Sequence, residues 1–326
     1  MTPPPESPLS GAVLGGERRA LAKAITLVES TRADHQAEAR QLLSELLPHT
    51  GNALRVGISG VPGVGKSTFI EAIGLYLIGE GHRVAVLAVD PSSSISGGSI
   101  LGDKTRMPRL AANDQSFIRP SPSAGSLGGV ARRTREAMLL CEAAGYDAVI
   151  VETVGVGQSE YTVASMVDCF LLLMLAGAGD ELQGIKRGIV ELADILAINK
   201  ADGDNVKAAG RAAAQLKSAL SLLRSPTEGW TPPVVTASAL EERGMQEVWK
   251  LVLEHRRHLE AHGLFERRRA EQREAWLSSM IHDGLEQRFF SREDVQALLP
   301  RIREDVDRSR ITPTEGARRL LALLDD

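Results

Sequence analysis

The sequence predicts an α/β fold: a mostly parallel sheet with helices on both faces and helical extensions at its N- and C-terminal ends. Three observations carry that expectation. Between about residues 53 and 253, short β-type runs alternate with helical stretches. Several of the runs are almost wholly apolar, as strands buried on both sides are. A glycine-rich octapeptide stands directly between the first run and the first long helical stretch.

Taken in order, the opening MTPPPESPLSG has neither the basic and apolar regions of a signal peptide nor the Arg-rich helix of a transit peptide, and reads as a disordered tail. From Glu17 to about Leu47, apolar residues recur three and four apart and predict two short amphipathic helices. The strand runs follow as ALRVGIS, RVAVLAVD, QSFIRP, YDAVIVET, DCFLLLML, DILAINK and PPVVTAS. Beyond about Gly263 the pattern is helical throughout, with helix-start signals at Ser291 and Thr312. The expected organisation is a tail with helices over 1–50, a nucleotide-binding domain over 51–262 and a helical extension over 263–326. That extension fits a helix pair packed on its own domain and a dimerisation element equally well.

Composition bounds the function classes. With 326 residues, 43% hydrophobic and 25% charged, the chain matches an ordinary globular protein. A net charge of -4 lacks the footprint of whole-surface nucleic-acid binding. No apolar run approaches 18 residues, so no membrane span is expected. Cys141 and Cys169 lie at neither disulfide nor metal spacing, which points to a reducing compartment and a cytoplasmic protein.

Chemistry enters with Gly60-Val61-Pro62-Gly63-Val64-Gly65-Lys66-Ser67, which fits G-x-x-x-x-G-K-[ST] in full and stands between a strand and a helix, the context that motif needs. Glycines let backbone N–H groups curl around a β-phosphate, and the helix N-terminus adds its positive end. Lys66 neutralises β and γ oxygens, Ser67 is suited to ligate Mg²⁺, and Thr68 belongs to the same phosphate-binding set. The tetrapeptide Asn199-Lys200-Ala201-Asp202 closes the run DILAINK, at the sheet edge where open α/β folds bind ligands. Asp202 can accept from guanine N1–H and the exocyclic amine, whereas adenine offers no such donor pair. Lys200 is expected along the base, and Ser238, Ala239 and Leu240 complete the base pocket through backbone contacts. A plain strand-to-helix turn with Asp202 as N-cap is the alternative. The ligand is therefore GTP or GDP with Mg²⁺, and the reaction GTP hydrolysis.

Asp90 and Glu152 end strand runs on the phosphate side, where a carboxylate holds Mg²⁺ directly or through water, and the Gly155 amide three residues on can sense a γ-phosphate. Small GTPases place Asp where Glu152 stands and a water-orienting Gln where Val156 stands. Slow hydrolysis, accelerated by a partner or a rearranging loop, follows as an expectation. Two polar loops are candidates: 91–109, with Asp103, Lys104 and Arg106, and 177–188, with Asp180, Gln183 and Lys186. Each also fits a plain loop. His255, His258 and His262 fall near one helix face, and their charged neighbours favour a solvated surface over a metal site.

The stretches DPSSSISGGSILGDKTRM and ETVGVGQSE, together with the phosphate loop and NKAD, closely resemble the ArgK/MeaB family, the methylmalonyl-CoA mutase-associated GTPases within the SIMIBI division. The resemblance implies a homodimeric GTPase chaperone that gates adenosylcobalamin loading and protects methylmalonyl-CoA mutase. It also implies phosphate and Mg²⁺ roles for Lys66, Ser67, Asp90 and Glu152, a switch role for Asp103, and a further switch in 177–188. An older name for the group suggests a second reading, a metabolite kinase or transport-coupled ATPase on the same phosphate loop.

Overall fold

The computed structural model describes residues 7–89, 106–120, 127–153, 159–177, 187–220 and 225–324. All seven predicted runs are strands: β1 Leu54–Gly60, β2 Val84–Val89, β3 Ser116–Pro120, β4 Ala148–Thr153, β5 Cys169–Leu175, β6 Ile195–Asn199 and β7 Val234–Thr236. They form one sheet in the order β3-β2-β4-β1-β5-β6-β7. Every pairing is parallel.

Alternate residues of each strand serve opposite faces. Val56 and Ile58 of β1, Ile150 of β4 and Leu171 and Leu173 of β5 pack with Phe69, Ile70, Ile73 and Leu77 of helix Lys66–Gly79 and with Val248, Trp249 and Val252 of helix Met245–Ala261. Val149 and Val151 of β4 and Phe170 of β5 face the other way, toward helix Leu127–Ala143 and the N-terminal helices. The apolar runs are thus strands with both faces covered. β1 lies centrally; the chain leaves it for β2 and β3 on one side and reaches β5, β6 and β7 on the other. That reversal opens a crevice at the carboxyl ends of the strands.

The chain divides into two compact units, Met1–Gln272 and Arg273–Asp326. In the first, the expected helix pair is Arg18–Glu29 and Ala33–Leu46. The expected disordered tail is corrected from residue 7 onward, because Pro8–Leu14 is a helix. Its start signals are local: the Ser7 hydroxyl accepts from the Ser10 amide, Pro8 occupies the first turn, and the Ser7 amide donates to Glu45 Oε2 at 2.9 Å. Helix Leu264–Phe290 runs from the first unit into the second. In the second, Val295, Ile302 and Leu320 form a small core between helices Glu293–Asp307 and Pro313–Leu321. Thr312 caps the last helix by accepting from the Glu315 amide, as expected, whereas Ser291 lies one residue before the N-cap Arg292. Among the described residues, no helix is long and apolar enough to cross a membrane.

Candidate functional site

β1 ends at Gly60 and the next helix begins at Lys66, so the octapeptide is a tight strand-to-helix turn. Gly63 and Gly65 have φ of 77° and 90°, and a Cβ on Gly65 would come within 3.2 Å of Asn199 Nδ2. Position 65 therefore needs glycine both for its left-handed backbone and for the approach of its neighbour. Val64 is buried and anchors the turn in the core. The exposed backbone donors at the start of an N-terminally unobstructed helix suit an anion.

Lys66 Nζ donates to the Gly60 carbonyl at 2.8 Å. It borders a cavity of about 490 Å³ with Pro62, Gly63, Gly65, Ser67 and Thr68, joined by Arg106 and Glu152 from elsewhere in the chain. Burial holds the Lys66 ammonium below its ordinary pKa; Glu152 and Glu160 oppose that shift and Arg106 adds to it. Glu152 is 4% exposed and the Ser67 hydroxyl donates to its Oε1 at 3.3 Å. A hydroxyl and a carboxylate meeting at this cavity form an all-oxygen donor set, which suits Mg²⁺.

Across the crevice, Asn199 ends β6 and is buried. Its Nδ2 donates to the Val64 carbonyl at 2.8 Å, and its Oδ1 accepts from the Ala239 amide at 3.2 Å. One side chain therefore ties the phosphate loop to the base loop. Lys200 adopts φ 58°, turning the chain so that Asp202 follows at the sheet edge. Asp202 is an N-cap by position, for the short helix Gly203–Asn205, but its carboxylate makes no capping bond. Instead Oδ2 accepts from the Ser238 hydroxyl at 2.5 Å. The carboxylate is thus drawn toward the loop after β7. Ala239 is buried and Leu240 is exposed.

Of the residues singled out in the sequence, the structure brings together Gly60 to Thr68 with Glu152, and Asn199, Lys200 and Asp202 with Ser238 to Leu240. Asp90, Asp103, Gly155, Gln183 and Lys186 lie outside the described residues. Sequence reading missed the double bond of Asn199 and the presence of Glu160, buried at the start of helix Ser159–Ala164, in the electrostatic field of Lys66.

The solvated histidine face is corrected in one member. His255 is fully buried, its Nε2 3.2 Å from Asp194 Oδ1 and its ring 5.1 Å from that of Trp230. The signal was present: Val248, Val252, His255 and Leu259 recur four, three and four apart on the buried stripe of helix Met245–Ala261. His258 is half-buried, with its Nε2 2.8 Å from the Glu228 carbonyl, and His262 is exposed, as expected. Cys169 lies beside Asp194 and His255, but the Asp194 carboxylate already accepts from Phe170 N at 2.9 Å and Thr227 Oγ1 at 2.7 Å and faces the Arg268 guanidinium at 3.4 Å. A cation already occupies the electrostatic role a metal would take there.

A strand-to-helix phosphate loop and a carboxylate-bearing base loop, set at the carboxyl ends of one parallel sheet, define a P-loop nucleotide-binding protein. The family model described as methylmalonyl Co-A mutase-associated GTPase MeaB matches residues 21–294, and the chain belongs to that family of GTPases. It is 51% identical over 305 residues to GTPase ArgK of Escherichia coli, covering 94% of this chain and 92% of that protein. It is 46% identical to the methylmalonic aciduria type A homolog, mitochondrial, of Mus musculus, covering 94% and 76%. A crystal structure titled LAO/AO transport system kinase superposes with a TM-score of 0.77 at 43% identity, covering 98% of this chain and 97% of that one.

Proposed function

We propose that the protein is a cytoplasmic GTPase chaperone that couples GTP binding and hydrolysis to adenosylcobalamin loading and protection of methylmalonyl-CoA mutase. The observation that carries the nucleotide part is the Asn199 strut, which holds the phosphate loop and the base loop in one frame. The mutase part is supported by membership of a family described as mutase-associated.

In this reading the turn Gly60 to Gly65 wraps the β-phosphate, Lys66 neutralises β and γ oxygens, and Thr68 lies at their edge. Ser67 and Glu152 hold Mg²⁺, with Asp90 as a further carboxylate; the ion, when bound, offsets charge on the phosphate oxygens. Asp202 pairs with guanine, Lys200 runs along its face, and Asn199 with Ser238, Ala239 and Leu240 shapes the pocket. Gly155, Asp103, Gln183 and Lys186 act in segments that respond to the γ-phosphate. Val156, standing where a water-orienting glutamine is found in small GTPases, makes turnover slow until the client engages. Residues 51–262 form the GTPase domain, 1–50 its N-terminal helices, and 263–326 the element through which two copies pair. The pairing is supported by Leu277, Ile281 and Leu285, four residues apart on helix Leu264–Phe290 and 61%, 52% and 61% exposed.

GTP hydrolysis measured with and without purified adenosylcobalamin-dependent methylmalonyl-CoA mutase tests the reading. A rise of about tenfold or more with formation of a complex is expected. An unchanged rate with no complex removes the client. The kinase title of the similar structure names the competing reading, a metabolite kinase or transport-coupled ATPase. Competition between ATP and GTP separates them, and Asp202→Asn is expected to shift preference toward xanthosine nucleotides by at least about a hundredfold.

A further inference from the structure

Arg106 reaches the phosphate cavity from a segment anchored to helix Lys66–Gly79 through both side chains and backbone. Met107 and Leu110 are fully buried among Phe69, Ile70 and Ile73 of helix Lys66–Gly79. Gly74 makes room for them, since a Cβ there would lie 2.8 Å from Leu110 Cδ2. Glu71, on the same helix, accepts from the backbone amides of Arg109 at 2.8 Å and Leu110 at 3.3 Å. The residue directly before Met107 is therefore fixed against the helix whose first residues are Lys66 and Ser67. Its side chain lines the same cavity as theirs and as Glu152. Two cations, Arg106 and Lys66, thus face one cavity. Such a pair is stabilised by a polyanion placed between its members.

We propose that Arg106 is a catalytic residue, an arginine supplied by the chain itself whose guanidinium contacts the γ-phosphoryl group of GTP. The proposal rests on the cavity being the GTP site. During hydrolysis the water oxygen bonds to γ-phosphorus, the bond from γ-phosphorus to the β–γ bridging oxygen breaks, and its electron pair stays with GDP. The water proton leaves with inorganic phosphate or to solvent. Negative charge grows on the bridging oxygen as that bond breaks, and a guanidinium beside it is worth more in the transition state than in the ground state. Arg106 exchanges no proton, because a guanidinium stays charged throughout. The planar fork donates two parallel hydrogen bonds in a fixed geometry that the three rotatable donors of an ammonium do not present.

The test uses the full chain with Arg106→Ala and Arg106→Lys. GDP and GTP affinities are measured first, then single-turnover hydrolysis with all protein GTP-bound. GDP affinity is expected within about twofold of the parent, which also reports an intact fold. Hydrolysis by Arg106→Ala is expected to fall by about 30- to 1000-fold, Arg106→Lys to recover little of it, and GDP with aluminium fluoride to lose its extra affinity over GDP alone. A single-turnover rate within about threefold of the parent overturns the proposal, as does an equal loss of GDP and GTP affinity, which means a pocket-shaping role only. Failure of the unaltered protein to bind GTP overturns the underlying site reading instead, and Arg106 with it.

Discussion

The two ends of the same sheet treat charge in opposite ways. At the amino edge, buried ions are spent on one another. Arg269, 6% exposed, grips both oxygens of Asp168 at 2.9 and 2.7 Å and donates to the Gly51 and Ala53 carbonyls. Arg55 and Glu142 pair at 2.6 Å, and Asp194 gathers Arg268, Thr227 and His255. At the carboxyl edge, Lys66 and Arg106 converge on a cavity with Glu152, and burial holds the Lys66 ammonium below its ordinary pKa while Glu152 and Glu160 oppose that shift. Pairing within the chain closes a fold; charge aimed at a cavity prepares for a ligand. A buried ion pair at the base of a sheet says little about function, whereas charged groups that converge on a cavity say more.

The sharpest way to break this contrast is to disable one ion at each edge. Arg269→Ala leaves Asp168 buried and uncompensated and should cost about 3–5 kcal/mol of folding stability, read by denaturant unfolding, with GTP affinity of the folded fraction unchanged. Lys66→Ala should do the reverse, lowering hydrolysis by about a thousandfold or more while shifting the unfolding midpoint little. If Arg269→Ala instead abolished nucleotide binding in folded protein, the two edges would not be separate.

A smaller effect is expected at the residue that joins the two ligand-facing loops. Asn199→Ala leaves the Val64 carbonyl and the Ala239 amide without their partner and should cost about 1–3 kcal/mol. Calorimetry should find the loss in both the phosphate and base portions of GTP affinity; a loss confined to one would show that Asn199 serves a single loop.

pH separates the edges more gently. Burial alone would raise the Asp194 carboxyl, but Arg268 and the hydrogen bonds from His255 and Thr227 hold it below the ordinary range. A depressed carboxyl contributes stability that is full above about pH 4 and is lost as pH falls through its folded value, so unfolding curves should weaken only in acid. Lys66 carries the same sign at the alkaline end of the scale. Its folded pKa lies below the ordinary value near 10.4, so the unfolded chain holds the extra proton and intrinsic stability rises with pH in that window. GTP binding favours the charged form, and affinity should fall as pH climbs through the folded value; a flat titration would remove Lys66 from contact with phosphate.

The fold was largely legible because buried parallel strands write themselves as apolar runs: CFLLLML is β5 almost residue for residue. The octapeptide was legible because glycine and lysine at fixed spacing have few other uses. What sequence concealed were relations across long separations. Asn199 looked like one letter of a tetrapeptide, and its bond to Val64 spans 135 positions. Arg106 looked like one of several loop cations until Met107 and Leu110 were found anchoring it. His255 was hidden by its charged neighbours and by the nearby His258 and His262, although its spacing matched the buried stripe. The short helix Pro8–Leu14 was hidden by a proline-rich opening whose Ser7-Pro8 pair is a capping signal.

The placement of the two loops also sets an order of events. The phosphate loop springs from β1, which has a neighbour on each side, while the base loop follows β7, a three-residue strand at the rim of the sheet with a single neighbour. Rim strands open at lower free energy than central ones. In the proposed site, departure of the nucleotide is expected to begin at its guanine, with the phosphates the last part to be surrendered, and a partner that grips the rim would set how long the nucleotide stays.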